Sequence, residues 1–144
     1  MDLSRFTRAH EETYATALRE IRNGRKISHW MWYIFPQMIG LSDSETSRFY
    51  AIHDRDEAAA FLEDAYLGGN LREITRAVLA NPPIHPARIF GAPDYRKLQS
   101  CMTLFEQVDR ESPSVFRLVL ERFYGGERDA KTLAILSGNA PDVT

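Results

Sequence analysis

The stretch Ser28-His29-Trp30-Met31-Trp32-Tyr33-Ile34-Phe35-Pro36 decides the fold class. From Trp30 to Phe35 it is apolar almost all round, so periodicity cannot separate a short buried helix from a buried strand. Its aromatic content would also suit a strand. A strand needs a partner, however, and no second convincing strand pattern occurs in the chain. The segment is therefore expected to be a short helix ending at Pro36, whose ring and missing N–H would stop either element.

Everything around it reads as helix. Over residues 4–23, Phe6, His10, Tyr14, Ala17 and Ile21 recur at spacings of three and four, one helix face, with Gly24 as the stop. Arg22, Arg25 and Lys26 cluster at that end, where a helix favours cations, and are expected to be solvated. A short helix is expected over 44–51. Asp54-Arg55-Asp56-Glu57 resembles a capping box opening another, which runs to Leu62. Gly68-Gly69-Asn70 reads as a turn before a helix carrying Leu71, Ile74, Val78 and Leu79, ended by Asn81-Pro82-Pro83. Pro86 and Pro93 suit first helical turns, giving a short helix to Phe90 and a long one from Asp94 to Arg110. Ser112-Pro113 should open a helix closed by Gly125-Gly126, and Asp129 should cap a last one through Leu136. The expected architecture is all-α, a compact single-domain bundle of about seven or eight helices spanning residues 1–144, with its core over 3–136 and a frayed tail at 137–144.

The bulk numbers agree with one ordinary globular core. The chain has 144 residues, 44% hydrophobic and 26% charged, with no internal repeat. A net charge of −2 gives no field that would draw the protein onto nucleic acid or an anionic membrane, so neither partner is expected. Cys101 is the single cysteine, which excludes an internal disulfide and fits a reducing compartment. The N-terminus lacks a signal-peptide pattern, and the longest apolar run, Trp30 to Phe35, is far short of the ~20 residues that span a bilayer. A cytoplasmic location is expected. Neither a cofactor nor an oligomeric state can be read from the sequence.

Ser28-His29-Trp30-Met31-Trp32, Phe35-Pro36-Gln37, Phe90-Gly91-Ala92-Pro93-Asp94, Met102-Thr103-Leu104-Phe105 and Asp129-Ala130-Lys131-Thr132-Leu133 occur in this order. Together they resemble a bacterial domain family of unknown function that is often labelled calpastatin. The resemblance runs from Leu3 to Leu136 and implies a compact helical domain. Calpain inhibitors of that name are repetitive and disordered, unlike this aromatic-rich, capped chain, so calpain inhibition is set aside. The family implies no established reaction and brings no catalytic residue. Cys101 stands where its Ser-Ser-Met-Thr-Leu-Phe run would have a second serine, which argues against an essential hydroxyl there.

The candidate ligand-binding residues are His10, His29, Trp30, Trp32, Gln37, Asp94 and Lys97. His10 lies at the centre of the first helix's apolar face, either as a hydrogen-bonded core histidine or as a pocket group. Asp94 falls inside the apolar arc of the long helix and Lys97 at its edge, either as an i,i+3 ion pair or with Lys97 free to grip an anion. His29, Trp30 and Trp32 are either core or a ligand cradle, and Gln37 could serve a buried indole N–H. The Gly125–Asp129 turn carries a weak phosphate-binding signal. No phosphate loop, dinucleotide fingerprint, nucleophile elbow or zinc pair is present, and the four histidines lack metal-ligand spacing. The leading expectation is a small anionic or nucleotide-like metabolite bound in a His/Trp/Lys-lined pocket. The alternative is a protein–protein interaction module whose inward polar groups are structural.

Overall fold

Helices form every regular element of the computed structural model, which describes residues 1–138. They are α1 (Ser4–Arg22), α2 (Met31–Ile34), α3 (Glu45–Tyr50), α4 (Arg55–Glu63), α5 (Ala65–Leu79), α6 (Ala87–Phe90), α7 (Asp94–Glu106), α8 (Val115–Tyr124) and α9 (Ala130–Leu136). Among the described residues there are thus nine helices, more than the seven or eight expected, and two of them, α2 and α6, are single four-residue turns. The expected tail lies outside the described residues from 139 onward.

The aromatic stretch is helical over Met31–Ile34, and Phe35 leaves the helix with extended-side torsions before Pro36. The chain then makes a parallel bridge in which Ile39 N–H donates to the Ile52 carbonyl and Ile52 N–H to the Gln37 carbonyl, each 2.9 Å. This isolated bridge pins the backbone on both sides of Met38, directly after Gln37, without building a sheet.

Side-chain caps set several helix starts. Asp54, Asp64, Ser114 and Asp129 each accept a backbone N–H from the first turn of the helix that follows. Asp54 caps through Glu57 N–H, but the Glu57 carboxylate accepts from His53 N–H and Arg5 rather than closing a reciprocal box. Ser114, not Ser112, caps α8. The helix α7 stops at Glu106, short of the expected Arg110, as the Asp109 carboxylate accepts from Glu111 N–H and from Arg72, a local turn that competes with the helix ladder.

Gly68-Gly69-Asn70 is not a turn but lies within α5. Asp64 both ends α4 and caps α5, so the two helices meet at one residue. A Cβ on Gly68 would stand 1.9 Å from the Leu62 carbonyl oxygen. The glycine is required by this close approach and not by its torsions.

The core gathers around aromatic rings donated by different helices. Phe6 of α1, Phe61 of α4, Phe105 of α7 and Phe116 of α8 follow one another at centroid distances of 5.0, 5.4 and 5.9 Å. Phe35 extends this packing toward Trp30 and Phe90. No helix among the described residues is long and apolar enough to cross a membrane.

Candidate functional site

The loop between α1 and α2 is built around Glu20, which is buried near the end of α1. Its Oε1 accepts from Ile27 N–H (2.8 Å), Ser28 N–H (2.9 Å) and Trp30 Nε1–H (2.9 Å), and its Oε2 accepts from the Ser28 hydroxyl (2.6 Å). Burial alone would push the carboxyl pKa up. The donors from Ser28, Ile27 and Trp30 outweigh it and hold the group down at about 2. Trp30 therefore uses Glu20, and not Gln37, as its indole partner.

This anchored loop carries Lys26 inward. Rather than being solvated surface, its side chain is only 7% exposed; it donates to the Ser28 carbonyl (2.7 Å) and lies over the Trp30 ring at 5.0 Å. Its ammonium also sits 3.0 Å from Asp94 Oδ2, at the first turn of α7. Lys97, one turn further along α7, lies 3.7 Å from the other Asp94 oxygen and 6.0 Å over the ring of half-buried Trp32. Two lysines thus share one carboxylate, and the nearer one is Lys26.

Lys97 stands where two concavities adjoin. One is a narrow slot between Trp32, Met31, Phe35 and Met38 on one side and Ser47, Tyr50 and Ala51 on the other, with Gln37, Ser42 and Lys97 at its lining. Its free space of ≈ 20 Å³ holds about one water. The other is an open cleft of ≈ 800 Å³ that shares Gln37, Ser42 and Lys97 with the slot and continues past Tyr95, Arg96 and Gln99 to Lys131 at the start of α9. The structure therefore brings together Trp32, Gln37 and Lys97, with Asp94 behind Lys97.

The remaining candidates lie elsewhere. His10 is buried in α1; its Nε2 lies 2.8 Å from the Tyr33 carbonyl oxygen and must carry the proton that donates to it, while Nδ1 accepts from the Asn70 amide at 3.1 Å. Burial lowers its pKa to about 4, so the ring is neutral at physiological pH. His29 is exposed, Trp30 is fully buried, and neither histidine lines the concavities around Lys97. Cys101 is buried and its thiol pKa is pushed up by that burial, which keeps it from thiolate chemistry. In the Gly125–Asp129 turn, the Asp129 carboxylate occupies the Thr132 N–H at the start of α9. No cluster of three metal-ligating side chains occurs among the described residues.

Sequence reasoning passed over Glu20, Lys26, Ser42, Ser47, Tyr50 and Lys131. The first two had a signal: Trp30 needs a buried acceptor and Asp94 a near cation. The serines and Tyr50 had none, because they reach the slot only through the folding back of residues 37–52.

A model of the family described as protein of unknown function (DUF1810) matches residues 1–136 of this chain. The chain is also similar to the conserved hypothetical protein Rv1873 from Mycobacterium tuberculosis, at 40% identity over 94% of this chain and 96% of that one. Its crystal structure superposes with a TM-score of 0.91. No curated protein matches the chain.

Proposed function

The chain belongs to the DUF1810 family of proteins of unknown function, and we propose that it binds a small anionic metabolite in the cleft around Lys97. One observation carries this reading: the Asp94 carboxylate is already neutralised by Lys26 at 3.0 Å, so the Lys97 ammonium at 3.7 Å is surplus positive charge at the mouth of a concavity. A charge needed only for stability would be expected at the shorter distance. Beside it, the Gln37 amide and Ser42 hydroxyl supply hydrogen-bonding groups and Trp32 an apolar wall, which is the usual make-up of a small-molecule site. The cleft volume of ≈ 800 Å³ lies within the range of such sites.

The test is native mass spectrometry of the protein purified from its own host, followed by thermal-shift screening of anionic metabolites. The expected result is an anion that raises the melting temperature of the wild type and not of Lys97→Met. Anions that stabilise both proteins equally would refute the assignment.

A second reading, docking of another protein, draws on Phe49, 59% exposed on α3, a helix that buries none of its six residues. It predicts a partner lost on Phe49→Ser and retained on Lys97→Met.

A further inference from the structure

Resting on the anion-binding reading above, the unclaimed neutral polar groups beside Lys97 narrow the ligand class. Gln37, Ser42 and Lys97 line both the slot and the open cleft, so they mark the junction of the two. Amide side chains withdrawn from solvent elsewhere are used within the protein. Asn70 donates to His10 Nδ1, Asn81 to the Ile21 and Ala77 carbonyls, Gln99 to the Glu127 carbonyl and Gln107 to the Glu106 carboxylate. Gln37 is also half-buried, yet its amide makes no hydrogen bond among the described residues, and the Ser42 hydroxyl of the same slot makes none either. The main chain of Gln37 is by contrast held, its carbonyl accepting from Ile52 N–H at 2.9 Å. A fixed backbone thus presents an uncommitted amide at the site.

Size, hydrogen-bond capacity and charge together select what these groups can take. The slot's ≈ 20 Å³ of free space admits one small polar group and excludes a ring. Gln37 offers N–H donors and a carbonyl acceptor, and Ser42 offers both kinds in one hydroxyl. An oxygen of an ionised acid only accepts and leaves the Gln37 carbonyl unused, whereas a hydroxyl donates and accepts. The charged lining of the cleft, Arg96, Lys97 and Lys131 against Glu127 and Asp129, nets a single positive charge, which a monoanion balances. We infer that the ligand is a 2-hydroxy carboxylate, with its carboxylate on Lys97 at the junction and its hydroxyl in the slot against Gln37 and Ser42. Its two polar groups sit on adjacent carbons, a span short enough for residues that line one small slot, and the rest of the molecule extends into the open cleft.

Glycolate and acetate differ by one hydroxyl and carry the same charge at pH 7.5, so titrating the full chain with each, followed by NMR, tests the inference. Glycolate should bind about tenfold more tightly than acetate, the step expected for hydrogen bonds to a half-buried amide and a hydroxyl, and should shift the Gln37 side-chain amide signals. Methoxyacetate keeps the ether oxygen, loses the donor and adds a methyl group that the slot excludes, so it should bind no better than acetate. Gln37→Leu should bring glycolate down to the affinity of acetate and leave acetate unchanged. Circular dichroism melts verify that the variant folds, and Ser42→Ala, expected to act in the same sense, serves if it does not. Equal binding of glycolate and acetate, both lost in Lys97→Met, would overturn the hydroxy-acid inference and leave the anion site standing. Glycolate binding that ignores Lys97→Met would overturn both. Binding of neither probe would overturn the inference, and the anion site would then stand or fall with the metabolite screen.

Discussion

The indole N–H of Trp30 donates to the carboxylate of Glu20 at 2.9 Å, in the interior of the protein, and among the described residues that carboxylate makes no ion pair. Four N–H and O–H donors do the work a counter-charge would otherwise do. The loop that brings Lys26 to Asp94 is anchored by this side chain together with the Lys26 N–H, which donates to the Ile89 carbonyl at 2.7 Å, so the site depends on residues that do not line it.

Glu20→Gln should therefore destabilise the fold and flatten its acid dependence. The folded carboxyl titrates at about 2, below its usual 4.5, so its stabilisation is fully present above pH 4.5 and is lost as pH falls toward 2. The wild type should lose about 3 kcal/mol of stability to this group across that window, and the Gln variant should lack that slope. Urea unfolding at pH 7, 4 and 2.5 measures both. Identical slopes in the two proteins would show that Glu20 is not held in this way.

His10 makes a different prediction, because its partners fix a neutral ring. With Nε2–H on the Tyr33 carbonyl and Nδ1 accepting from Asn70, protonating Nδ1 would set two donors against each other. The folded pKa of about 4 lies below the usual 6.5, so stability from this group is present above pH 6.5 and lost as pH falls through 4. Long-range nitrogen NMR should find the Nε2–H tautomer of His10 unchanged from pH 8 down to about 5. A midpoint near 6.5 would contradict the geometry.

The neighbouring glycines of α5 should respond in opposite senses. Both lie inside a helix, where Gly→Ala ordinarily gains up to about 1 kcal/mol. Gly69 is exposed and its Cβ would meet nothing within 4 Å, so Gly69→Ala should raise the melting temperature. Gly68→Ala would drive a methyl onto the Leu62 carbonyl 1.9 Å away, forcing α4 and α5 apart at a cost of about 2 kcal/mol or more. Equal effects would mean the α4–α5 junction is looser than its geometry.

These cases mark how far the sequence could be read. Asp54, Asp129 and Gly125 were legible as caps and stops because each acts within one turn of its own helix. His10 was legible as inward-facing because helical period alone decides that. Gly68 was misread because glycine marks both a turn and a close contact, and only the partner helix tells them apart. Lys26 looked like solvated charge at a helix end; its burial follows from a loop folding back on Glu20, a contact that leaves no local pattern. For the same reason Trp32, Gln37 and Lys97 could be nominated from the sequence, but their meeting depended on the Met38–Ile52 bridge and the packing of α7.

Lys26 and Lys97 should separate stability from binding. Substituting either by Met keeps the apolar stem and removes one charge from Asp94. Lys26 is 7% exposed and its ammonium lies 3.0 Å from the carboxylate, so Lys26→Met leaves a partly buried anion with its distant partner only, and a loss of about 1 to 3 kcal/mol is expected. Lys97 is 24% exposed and 3.7 Å away, and its removal leaves the Lys26 pair intact. Lys97→Met should therefore change stability by no more than about 0.5 kcal/mol. Binding should divide the other way. Lys97→Met should abolish measurable affinity for any anionic metabolite that stabilises the wild type, because it removes the cation at the junction of slot and cleft. Lys26→Met should weaken it too, because Asp94, relieved of its nearer partner, draws Lys97 away from the cleft. Denaturant melts and calorimetry on the two variants give four numbers, and a Lys97→Met protein that is markedly destabilised yet binds normally would assign Lys97 to the fold instead.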